Sequence, residues 1–122
     1  MKLKRAKIIV KPLYDIKAEW KKALKGKIAH IQKNDEIIFT GIESIAKVFS
    51  KTRIEILMTI IHHKPQSIYE LAKILDRDFK NVHSDVKFLS EIGLIKLQDS
   101  GDARNGLIPI AKFSGIELDL AA

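Results

Sequence analysis

The stretch from Ser67 to Leu97, SIYELAKILDRDFKNVHSDVKFLSEIGLIKL, decides how the chain is read. Its first four residues, Ser67-Ile68-Tyr69-Glu70, fit a capping box, in which a hydroxyl and a carboxylate satisfy each other's exposed backbone donors. They open a short helix, Ser67 to Leu75, with Ile68, Leu71, Ala72 and Leu75 on one face. Asp76-Arg77-Asp78 is a polar turn that ends in a capping carboxylate, and a longer helix runs on to about Ile92, where Gly93 stops it. Leu94 to Gln98 then reads as a strand, Asp99 to Gly106 as a polar loop with two glycines, and Leu107 to Phe113 as a returning strand.

At about 100° per residue, Phe79, Val82, Val86 and Leu89 cluster on one side of the longer helix, the side expected to pack on a core. The opposite side carries Lys80, Asn81, Ser84 and Lys87, with Arg77 near its start and His83 at its margin. Asp78 and Asp85 fall off its centre. Such a division suits a helix that enters the major groove, where Lys or Arg reads guanine and Asn reads adenine. On its own a Lys-rich face is an ordinary solvated surface. The order of elements adds the weight: capped short helix, polar turn, second helix, Gly, then a hairpin whose loop holds Arg104 and Asn105. The expected fold class is therefore α+β, mainly helical: a winged helix-turn-helix with an N-terminal strand-helix extension. In such a fold the loop reaches a neighbouring backbone or minor groove, where Arg is favoured.

Upstream, Ile42 to Phe49 reads as a helix with Ile45, Val48 and Phe49 inward. A second helix begins at Ser50 or Thr52, and Thr52-Arg53-Ile54-Glu55 fits another capping box. Ile54, Leu57, Met58, Ile60 and Ile61 make it the most buried helix expected, and Pro65 ends it. Lys2 to Lys11 is a weak strand around Ile8-Ile9-Val10, Ile28 to Gln32 a connection, and Asp35 to Thr40 a short strand. At the far end, Ile116, Leu118 and Leu120 alternate with Glu117 and Asp119 as a last strand.

From Leu13 to Lys25, Leu13, Ile16, Trp20, Ala23 and Leu24 recur at intervals of three and four, an amphipathic helix with Lys17, Lys21, Lys22 and Lys25 elsewhere. Leu13, Ile16, Trp20 and Leu24 form the candidate dimer or partner contact. Packing on the chain's own domain, dimerisation and contact with another protein all remain open for this stripe.

Charge is uneven. Residues 1–33 hold eleven Lys and Arg against two acidic residues, whereas residues 34–122 hold eleven against thirteen, within a chain of net +7. This contrast divides the chain into a basic extension, 1–33, and the winged domain, 34–122. A polyanionic partner follows from the balance.

The 122 residues allow one compact domain with an appendage and exclude a multidomain enzyme. With no Cys, a disulfide framework, a thiolate nucleophile and a Cys-ligated zinc are excluded. No uncharged run approaches the roughly 20 residues of a membrane span, and no export signal follows Met1, so a soluble cytoplasmic protein without a membrane partner is expected. Adjacent His62 and His63 point about 100° apart on a helix and form no metal pair. Asp76, Asp78, Asp99 and Asp102 lack calcium-loop spacing. No phosphate loop, activated Ser or carboxylate pair is present, and a small ribonuclease using His30 or His83 has no supporting arrangement. A non-enzyme without cofactor is expected.

Ser67 to Leu97 resembles the winged-helix transcriptional regulators of the antitoxin-like, MarR-related group of bacteria and archaea. The core phrase is Arg77-Asp-Phe-Lys-Asn-Val-His-Ser-Asp-Val86, supported by Gly93-Leu-Ile95, by Phe39-Thr-Gly-Ile-Glu-Ser44 and by Lys51-Thr-Arg-Ile-Glu-Ile-Leu57. The resemblance implies an autorepressing antitoxin, a homodimer on a palindromic operator that also holds a toxin protein inactive. By the same match, Arg77, Lys80, Asn81, His83 and Ser84 contact double-stranded DNA, with Arg104 in the wing. Ser84 stands where a basic residue is expected. The alternative is an interaction module whose main task is to mask a toxin or another partner.

Overall fold

The computed structural model describes residues 5–10, 29–33, 36–39, 42–102 and 106–119. Across them runs an α+β fold of four helices and two small sheets. In order these are β1 (Ala6–Val10), β2 (Ala29–Lys33), β3 (Glu36–Phe39), α1 (Ile42–Val48), α2 (Lys51–His63), α3 (Ile68–Leu75), α4 (Phe79–Ile92), β4 (Ile95–Asp99), β5 (Leu107–Ala111) and β6 (Ile116–Asp119). The proposed amphipathic helix and its Leu13, Ile16, Trp20 and Leu24 lie outside the described residues, as do Arg104 and Asn105.

The chain forms two compact units, one of residues 1–48 and 113–122, the other of residues 49–112. Strand pairing thus divides the chain differently from charge, which had set the boundary at residue 33. β3 and β6 join the sheet of β1.

In the first unit the strand order is β2-β3-β1-β6, with β1 parallel to both β3 and β6 and β2 antiparallel to β3. The central strands carry unbroken apolar runs because both their faces are covered: Ile8, Ile9, Ile37, Ile38 and Phe39 are all buried. At the edge, β6 alternates, and Glu117 and Asp119 approach Arg5 and Lys7 at 3.7 and 3.8 Å. β2 replaces the connection expected over Ile28 to Gln32. Its signal was the two-residue spacing Asn34-Asp35 between it and β3, a hairpin separation. Only Val48 of the expected inward set on the helix after β3 is fully buried, with Ile45 and Phe49 half-buried.

The second unit packs α2, α3 and α4 with the β4-β5 hairpin. Its core includes Ile56, Leu57, Ile60, Leu71, Val82, Val86, Leu89, Leu94 and Ile95. Pro109 sits buried in β5 opposite Leu97, tolerated because this strand has a partner on one side only within the two-stranded sheet.

Two expectations for α2 are corrected. Its cap is Ser50, whose side chain accepts the Arg53 N–H at 3.3 Å, so Thr52 and Glu55 lie inside the helix and form no box. Ile54 and Met58, expected inward, are 41% and 53% exposed. Residues 54–61 are apolar almost all round, so periodicity could not select a face; the packing partners chose that of Ile56, Leu57 and Ile60.

Candidate nucleic-acid interface

α3 begins where the Ser67 hydroxyl accepts the Glu70 N–H at 3.0 Å, as half of the expected capping box. It ends at Asp76, whose left-handed backbone (φ 53°) lets its N–H reach the carbonyls of Ala72 and Lys73. Two residues later the Asp78 carboxylate accepts the Asn81 N–H at 3.3 Å and starts α4. A C-cap and an N-cap are thus compressed into Asp76-Arg77-Asp78, which sets the two helices in a fixed relation. Gly93, at φ 99°, closes α4.

Val82, Val86, Leu89 and Ile92 are the buried side of α4. Lys80, Ser84 and Lys87 stand opposite and are exposed, with His83 and Asn81 exposed on its two flanks. Glu91 shares this face in the last turn, so the cationic part lies toward the helix N-terminus.

Arg77 is placed otherwise than expected. Its Nη2 donates to Glu55 Oε2 at 2.5 Å and its Nη1 to the Thr52 carbonyl at 3.4 Å, which ties the turn to α2. A guanidinium so engaged is held against α2. Glu55 stands 22 residues away in sequence, so spacing could not reveal the pair. Asp85 is drawn off the exposed face in the same way: Arg53 Nε donates to its Oδ1 at 3.1 Å, while the Arg53 guanidinium lies 4.0 Å from the Phe88 ring centroid. The two pairs engage four charged groups, Arg77, Glu55, Arg53 and Asp85, and leave the lysines as the dominant charge of the exposed face.

Phe79 also departs from expectation. Instead of packing inward with Val82 and Val86 it is 45% exposed, its ring centroid 6.3 Å from that of Tyr69 and 5.7 Å from that of His83. Tyr69 is 59% exposed, and Lys73 Nζ stands 5.1 Å over its ring. As the first residue of α4, Phe79 lies at the rim of the apolar sector, where a helical wheel cannot separate inside from outside.

The loop after β4 is shaped by Gly101 (φ 76°) and Gly106 (φ 61°), with the Ser100 N–H donating to Gly106 O at 3.0 Å and the Gly101 N–H to Asp99 Oδ1 at 2.9 Å. Among the described residues no group of three His, Asp or Glu is placed to hold a metal ion, and no helix is long and apolar enough to cross a membrane.

A helix pair joined by a capped three-residue turn, followed by a two-stranded hairpin, therefore defines an α+β protein whose most cationic helix face is exposed. The chain belongs to the HVO_A0114 family, whose model matches residues 48–118 and so takes in the whole helix-and-hairpin unit. No curated protein and no solved structure matches the chain.

Proposed function

We propose that the protein is a sequence-specific DNA-binding transcriptional regulator of the winged helix-turn-helix type, with α4 as the reading helix and the β4-β5 hairpin as the wing. The observation that carries this reading is the division of α4: Val82, Val86 and Leu89 buried, Lys80, Ser84 and Lys87 exposed, and Asp85 withdrawn into its pair with Arg53. Lys80, Asn81, His83, Ser84 and Lys87 contact the DNA, Arg104 and Asn105 extend the contact from the wing, and Arg77 acts by holding the turn. Following the resemblance, the protein acts in the cytoplasm as an autorepressing antitoxin. It binds as a homodimer, with two α4 helices meeting half-sites about 34 Å apart on a palindromic operator. It has no catalytic role or cofactor.

A second reading, a module that masks a toxin or another protein, is favoured by the exposed apolar pair Ile54 and Met58 on α2. Fluorescence anisotropy separates the two, with the DNA upstream of the protein's own gene titrated against a scrambled duplex at low and near-physiological salt. A preference of about a thousandfold at the higher salt supports specific regulation. Equal binding that vanishes with salt leaves only the charge of residues 1–33 at work and turns the search to a protein partner.

A further inference from the structure

Phe79 is an exposed phenyl ring at the first position of the helix proposed to read DNA, in a neighbourhood that holds basic side chains on both α3 and α4. Its ring meets those of His83 on α4 and Tyr69 on α3, Lys73 Nζ stands over the Tyr69 ring, and the exposed Lys80 follows it in sequence. An apolar surface with lysines beside it complements a surface that is itself apolar at one spot and anionic around it. The major groove is such a surface wherever a thymine C5-methyl group projects between phosphates. The first residues of a reading helix are the ones that meet base edges. The ring is also held: the contacts to Tyr69 and His83 lie in the usual range for aromatic pairs, so little freedom is lost on binding.

We propose that Phe79 is a specificity-determining residue that reads a thymine methyl group in each half-site, with Tyr69 and His83 fixing the ring and Lys73 engaging a flanking phosphate. This rests on the DNA-binding reading above.

Replacing thymidine by deoxyuridine removes the methyl group and leaves every hydrogen-bonding edge intact. The full chain is first used to select its preferred duplex from a random-sequence pool, and each thymine of that duplex is then replaced singly. At one position per half-site the replacement weakens wild-type binding about fourfold, the equivalent of one CH2-sized apolar group. Phe79→Ala, its fold checked by thermal unfolding, binds the thymine and uracil duplexes equally, and Phe79→Leu keeps part of the difference. A selected duplex with no uracil-sensitive position overturns the proposal with wild-type protein alone. So does a uracil penalty that persists in Phe79→Ala. If the chain selects no sequence, the DNA-binding reading falls and Phe79 with it; selection without methyl dependence sinks only the role of Phe79.

Discussion

The guanidinium of Arg77, in the turn between α3 and α4, is clamped on α2: Nη2 lies 2.5 Å from Glu55 Oε2, and Nη1 bonds the Thr52 carbonyl. Both side chains are partly exposed, so the pair is worth more than a free surface ion pair and less than a buried one. A double-mutant cycle with Arg77→Ala and Glu55→Ala should give a coupling energy of about 1 kcal/mol in urea unfolding. The two single variants should also weaken DNA binding to a similar, small degree, because each loosens the seat of α4. A base-reading Arg77 predicts the opposite, with loss of specificity on Arg77→Ala and none on Glu55→Ala.

Lys80→Ala with Asn81→Ala should abolish the preference for operator over scrambled duplex while leaving the circular dichroism spectrum and Tm close to wild type. Both side chains are exposed, so the fold does not depend on them. Unchanged discrimination would remove α4 from the reading role.

Lys87→Ala should weaken binding to all duplexes alike and lower the slope of log K against log salt by about one, since a phosphate contact releases roughly one counterion. The check is a salt titration of the variant beside wild type. A sequence-dependent loss would mean that Lys87 meets a base instead.

Leu89 is fully buried on the inner face of α4. Truncation to Ala leaves a cavity and should cost about 3 kcal/mol, within the range for buried Leu. Denaturant unfolding measures it, and a loss near zero would mean that α4 is not seated on this core.

Lys64 is the C-cap of α2 with φ 47°, a left-handed conformation that a Cβ penalises. Lys64→Gly removes that strain at the cost of a more flexible unfolded chain, and a net gain of about 0.5 kcal/mol is expected. A lowered Tm would show that the Lys64 side chain contributes more than its backbone costs.

The helix pair was legible because its ends are written locally: Ser67 and Asp78 cap, and Gly93 terminates, within three or four residues of the groups they satisfy. The lysines of α4 were legible for the same reason, as the solvent side of a 3.6-residue period. What escaped depends on distant partners. Arg77 takes Glu55, and Asp85 takes Arg53, across 22 and 32 residues. Ile54 and Met58 escaped because an evenly apolar helix has no preferred side until its neighbours are known. The sheet order escaped because parallel pairing leaves no turn between its strands to announce it.

That parallel pairing sets a timetable for the growing chain. Ala6 pairs with Ile116, and Ile9 with Asp119, so β1 gains its second neighbour only about a hundred residues after its own synthesis. At roughly 10 residues per second the wait is about ten seconds, and residues 49–112 are synthesised within it. The helix-and-hairpin unit, whose pairings are local, can fold while the sheet still lacks its closing strand. Until β6 arrives, one side of β1 is an open strand edge, the point at which a nascent chain is most exposed to pairing with the wrong partner.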